Sequence, residues 1–93
     1  MKISNKRYKQ LIAEWNPSMV VHIRYTTKHA VGRMTFSIAF FLEFNQKITK
    51  LFKGVQIREI YVKNELSGIV LEYFQSLPEL WFYAIGRKYG KDS

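Results

Sequence analysis

Asn64-Glu65-Leu66-Ser67-Gly68-Ile69-Val70-Leu71-Glu72-Tyr73-Phe74-Gln75-Ser76-Leu77-Pro78 can be read in two ways that lead to different folds. As a helix, Leu66, Ile69, Val70, Tyr73, Phe74 and Leu77 share one stripe at the 3.6 period, and Pro78 closes it. As a strand, Ile69, Leu71 and Tyr73 alternate with Val70, Glu72 and Phe74 after an Asn-Glu-Leu-Ser-Gly turn. The period itself favours the helix. That reading gives an α/β domain with a third helix at 65–77, whereas the strand joins a sheet and gives an α+β domain.

The flanking segments are less ambiguous. Tyr8, Leu11, Ile12 and Trp15 recur at i, i+3, i+4 and i+7, with Ser4 or Asn5 as the cap and Asn16-Pro17 as the stop. This predicts a short amphipathic helix. Met19, Val21, Ile23 and Tyr25 then alternate with Val20, His22, Arg24 and Thr26, the period of a strand buried on one face. Thr26-Thr27 are read as the cap of a long helix carrying Met34, Ile38, Phe41, Ile48 and Phe52 on one stripe, with a break near Gly32 and Gly54 as terminator. Val55 to Lys63 reads as a second strand whose alternation slips at Arg58-Glu59-Ile60, as at a bulge. Leu80 to Ile85 fits either a strand or a helix begun by Pro78. A polar, basic tail is expected from about residue 86, and residues 1–93 form one domain. Leu11, Ile12, Trp15, Val21, Ile23, Ile38, Phe41 and Phe52 are the expected core.

The 93 residues carry a net charge of +8, placed unevenly. Seven of the first 33 residues are basic against Glu14 alone, residues 34–86 balance, and the tail from Arg87 adds +2. Such segregation points to a polyanion or an acidic protein surface as partner. With no Cys, disulfides, thiol nucleophiles and thiolate metal sites are excluded. The most apolar stretch, Phe36 to Leu42, falls short of the ~18 residues that a membrane span needs, and no export signal is visible at the N-terminus. No membrane contact and a cytoplasmic location are the expectation.

Little catalytic chemistry is available. The only Asp is Asp92 and the only histidines are His22 and His29, seven apart, without the spacing of a metal pair or the partners of a hydrolytic triad. No cofactor or metal is expected, and the chain reads as a non-enzyme. Gly86-Arg87-Lys88-Tyr89-Gly90 has three residues between its glycines where a phosphate loop has four.

Strand Met19 to Thr26, helix Met34 to Lys53, strand Ile57 to Val62, then Ser67-Gly68-Ile69-Val70-Leu71-Glu72-Tyr73-Phe74 together resemble the amino-terminal part of plasmid rolling-circle replication initiators. The resemblance covers about sixty residues. It implies a ferredoxin-like sheet packed on a long central helix behind the amino-terminal helix, with residues 69–74 as a strand, and it implies a plasmid or phage setting. In that family a histidine-hydrophobe-histidine motif holds the metal that activates a DNA phosphodiester. Glu72, Tyr73 and Phe74 occupy the corresponding positions, so nicking and joining are not implied here.

What remains is binding. Lys2, Lys6, Arg7, Lys9, Arg24, Lys28, Arg33, Arg58, Arg87, Lys88 and Lys91 are the candidate phosphate contacts, supplied by a basic helix, a basic sheet face and a basic tail. The cations in the first helical turns do not serve the helix, because its dipole disfavours positive charge there. Tyr61 or Tyr73 on the same sheet face could stack a base, although an aromatic in a small domain more often belongs to the core. The expected function is non-catalytic nucleic-acid binding, DNA before RNA. The alternative is a small phage or mobile-element interaction or inhibitor protein that docks on an acidic protein surface or in a nucleic-acid channel.

Overall fold

The first helix starts where a side chain can satisfy its free amides. In the computed structural model, which describes the backbone of residues 4–90 and the side chains of residues 4–86, the Ser4 hydroxyl accepts from the Arg7 N–H at 3.2 Å. Helix α1 (Asn5–Glu14) follows, and Asn16-Pro17 turns the chain out of it. Trp15 is buried, and its indole N–H donates to the Ala84 carbonyl at 3.0 Å, which ties this end of the chain to the last helix.

Strand β1 (Met19–Thr26) enters a hairpin with β2 (Val31–Ser37). Thr27 closes the turn: its N–H donates to the Ala30 carbonyl at 2.7 Å, and its hydroxyl accepts from the amides of His29 and Ala30. The expected helix therefore does not begin at Thr26-Thr27. Residues 31–37 alternate as Val31, Arg33 and Thr35 against Gly32, Met34 and Phe36, and the free edge of β1 supplies hydrogen bonds for that pattern. The functioning cap is Ser37, whose hydroxyl accepts from the Phe40 N–H at 3.0 Å and starts α2 (Ile38–Leu51). Gly54, at φ +80°, lies just past its end.

Strands β3 (Gln56–Asn64) and β4 (Ile69–Phe74) form the second hairpin, so residues 69–74 are a strand and the helix at 65–77 does not form. Turn chemistry and a pairing edge together override the period. The Asn64 side chain accepts from the amides of Leu66 and Ser67, Gly68 takes φ +75°, and β3 provides a pairing edge. Leu66 and Ile69, which the helical stripe would bury, are exposed. Helix α3 (Leu77–Gly90) starts immediately after β4, with the Ser76 hydroxyl accepting from the Glu79 N–H at 3.3 Å and the Glu79 carboxylate accepting from the Gln75 N–H at 3.1 Å. That is a Ser-x-x-Glu start, and Pro78 sits in its first turn, where no helical N–H is needed. The helix backbone continues to Gly90, past the point where a polar tail was expected to begin.

The sheet order is β2-β1-β3-β4 with every neighbouring pair antiparallel, and α1, α2 and α3 lie on one face, a ferredoxin-like two-layer α+β arrangement. Between β1 and β3 the register passes from Arg24↔Glu59 to Tyr25↔Ile57, which leaves Arg58 as the extra residue of the anticipated bulge. Met19, Val21, Ile23, Ile60 and Val62 point into the helices and form one core with Leu11, Trp15, Ile38, Phe41, Leu42, Leu80 and Ala84. The expected core residues are all in that cluster, Ile12 at its margin.

Candidate functional site

Because side chains alternate along a strand, the same register that builds the core aligns a second set on the opposite face, where none of the described helices packs. Across the sheet this set falls into rungs. One is Thr35–His22–Tyr61–Tyr73, on β2, β1, β3 and β4. The next, two residues and so about 7 Å along the strands, is Arg33–Arg24–Glu59. Beyond it Thr26 accepts from Arg58 Nε at 3.3 Å, and Lys28 is exposed in the hairpin turn. On the other side of the aromatic rung, Lys63 pairs with Val20 and Val70.

The aromatic rung is built around a buried histidine. His22 is 9 % exposed although it faces away from the core. Tyr61 lies parallel to it, with ring centroids 4.8 Å apart, and Glu65 reaches from the β3–β4 turn to place Oε1 2.6 Å from Nε2. An ionised carboxylate only accepts, so the imidazole donates through Nε2–H. Nδ1, also buried, finds no hydrogen-bond partner in the structure. The turn itself is fixed by the Glu65 N–H, which donates to the Ser18 carbonyl at 2.9 Å. Tyr73 closes the rung at 5.4 Å from Tyr61.

The basic rung is electrostatically uneven. Arg24 Nε is 3.5 Å from the Glu59 carboxylate, while Arg33, directly opposite Arg24 on the edge strand, has no ion pair among the described residues. Like charges directly opposite across a strand pair are destabilising. The uncovered face holds Arg24, Arg33, Arg58 and Lys63 against Glu59 and Glu65, a local excess of cations.

The sequence-predicted contacts therefore divide. Arg24, Arg33 and Arg58 come together at one end of the uncovered face, with Lys28 exposed in the adjoining hairpin turn. Lys6, Arg7 and Lys9 are on α1, in the helical layer on the other side of the sheet. Lys2 and Lys91 lie outside the described residues, as do the side chains of Arg87 and Lys88. Two site residues were not anticipated: Lys63, and Glu65 as the partner of His22. Nothing local marks that pair, since it is 43 residues apart in sequence and meets only through the β1–β3 register.

A separate cleft of about 480 Å³ opens on the helical side, where α2 kinks at Phe44 (φ −118°, ψ 26°). Asn45 donates to the Leu42 carbonyl at 3.3 Å and to the Tyr8 hydroxyl at 3.4 Å, a side chain inserted at the kink. Burial pushes the Tyr8 phenol above its ordinary value of 10.0; the Asn45 hydrogen bond acts against the shift and the Glu43 charge adds to it. Among the described residues no group of three or more His, Asp or Glu converges as metal ligands would, and no helix is long and apolar enough to cross a membrane. Comparison of the chain with protein-family models, curated proteins and solved structures finds no match.

Proposed function

We propose that this domain is a non-catalytic nucleic-acid-binding module whose main contact surface is the uncovered face of the sheet. The observation that carries the reading is the Arg24↔Arg33 rung. Two arginines lie directly opposite on neighbouring strands, Arg24 reaching Glu59 and Arg33 with no acidic partner among the described residues, beside Arg58 and Lys28. A phosphate backbone supplies the missing anion, and Arg offers it paired donors. The α1 cations are on the other layer and act mainly through their long-range field, drawing a polyanion to the domain. The resemblance to rolling-circle initiators favours DNA and a plasmid or phage setting, in the cytoplasm. With Glu72, Tyr73 and Phe74 on β4 in place of the paired histidines, metal-dependent nicking forms no part of the proposal.

One observation favours a second reading, in which the partner is a protein. Edge strand β2 lies beside an apolar groove of about 500 Å³, in which Phe40 and Leu51 stay exposed. An extended acidic segment pairing with that edge would explain both features. Salt-titrated binding to single- and double-stranded DNA and RNA separates the two. The nucleic-acid reading predicts a log–log slope of about −2 for three phosphates contacted on a single strand. The slope should flatten when Arg24, Arg33 and Arg58 are together replaced by Gln. Negligible binding at physiological salt would reject the reading in favour of a protein partner.

A further inference from the structure

The uncovered face offers more than charge, because its aromatic rung runs to the edge of the sheet. Tyr61 has a ring on each flank: His22 parallel at 4.8 Å and Tyr73 tilted by 45° at 5.4 Å. Tyr73 is different. It ends the rung on edge strand β4 and remains 60 % exposed, so one flank of its ring has no neighbour in the rung. Behind it runs a chain of supports: the Glu65 carboxylate holds the His22 imidazole at 2.6 Å, His22 backs Tyr61, and Tyr61 backs Tyr73. An aromatic ring held by packed neighbours and open outward is a stacking surface.

Building on the proposed nucleic-acid reading, we infer that Tyr73 is the stacking platform for one base of a single-stranded nucleic acid, with Tyr61, His22 and Glu65 as positioning residues. The strand crosses the sheet from Tyr73 at the β4 edge toward Arg24 on β1 and Arg33 at the β2 edge, about 15 Å from the first strand to the fourth. Lys63, one rung away on the neighbouring strand, is the nearest cation of the face to the platform. The ligand is single-stranded because bases within a duplex are stacked on one another and present no free face, whereas an unpaired base can leave its neighbours and lie on a tyrosine. Every base has such a face, so recognition is tolerant of sequence.

The test uses the full chain and three probes: labelled dT12, U12 and a 12-base-pair DNA duplex, followed by fluorescence anisotropy over a salt series. Tyr73→Ala should weaken binding of both single strands about five- to hundred-fold. Duplex affinity and the salt slope should hardly move, because Tyr73 is uncharged, and the melting temperature should fall by only a few degrees, since the ring loses its contact with Tyr61 but is mostly exposed. Tyr73→Phe should restore the loss. A 5-iodouracil oligonucleotide should photocrosslink to Tyr73. If Tyr73→Ala leaves single-strand affinity intact, or weakens duplex and single strand alike, stacking is refuted. The nucleic-acid reading then still stands if the Arg24/Arg33/Arg58 variant loses its salt slope. A parent protein that binds none of the three probes overturns both.

Discussion

His22 and Tyr61, opposite each other on β1 and β3, have their rings parallel to within 2° on the face of the sheet that no described helix covers. The pair buries an imidazole outside the core, and Glu65 completes it. This small second cluster ties the middle of the uncovered face together by ring packing and one hydrogen bond.

Glu65→Leu should therefore destabilise the domain by about 1 kcal/mol in urea unfolding, the lower end of the range for stranding a polar group, because Glu65 is itself partly solvated. Glu65→Gln, which keeps an accepting oxygen, should cost less. Equal stability of Glu65→Leu and the parent would show that the contact to His22 does not hold the turn.

Phe41 is 1 % exposed at the centre of the core, stacked on Phe36 and edge-on to Trp81. Phe41→Ala should cost ~3–5 kcal/mol, a large part of the stability of a domain this size. Thermal or chemical denaturation checks it, and a midpoint equal to the parent's would place Phe41 outside the core.

Gly32 lies opposite Tyr25, whose ring covers it: a Cβ at position 32 would stand 2.5 Å from the Tyr25 Cζ and hydroxyl oxygen. The same ring packs edge-on against Phe52, with centroids 5.5 Å apart, so it cannot swing away without losing that contact. Gly32→Ala should destabilise by about 1–3 kcal/mol, and Gly32→Ala combined with Tyr25→Ala should show clear non-additivity. Strict additivity in a double-mutant cycle would mean that the ring does not need the space.

How much of this was legible in the residues depended on whether the deciding signal was local. The alternation of β1 is unbroken, and it correctly assigned Val21 and Ile23 to the core and His22 and Arg24 to the other face. The stripe through Met34, Ile38 and Phe41 misled because it spans two elements: Met34 faces the core from β2 and Phe41 from α2, with Ser37 between them as the cap. At 66–77 the apolar residues satisfy either period, and the pairing edge of β3 decides, a tertiary fact. Pro78 fits either the stop of a helix over 66–77 or the first turn of the next one, and the structure takes the second, opened by the Ser76-x-x-Glu79 pattern. Charge along the chain divides the candidate contacts into a basic helix, a sheet face and a tail, but which layer each occupies is set by the tertiary fold, which puts Lys6 and Arg33 on opposite layers.

Tyr8 should titrate above 10.0, since burial favours its neutral form. The sign for stability follows. Below pH 10.0 both folded and unfolded states keep the proton; as pH rises past it the unfolded chain ionises first, and stability falls until the folded phenol also titrates. Ring-carbon NMR, assigned with Tyr8→Phe, should also show the midpoint fall in Glu43→Gln, which removes a repelling charge, and rise in Asn45→Leu, which removes the hydrogen bond. A midpoint at or below 10.0 would contradict the burial of this phenol.

The position of the contact surface can be read residue by residue from the amide shifts of the 15N-labelled protein on addition of dT12 at physiological salt. The largest changes should map to His22, Arg24, Arg33, Arg58, Tyr61 and Tyr73, across all four strands of the uncovered face. Changes confined to α1 around Lys6 and Lys9, or to the groove at Phe40 and Leu51, would contradict the assignment of that face as the nucleic-acid interface.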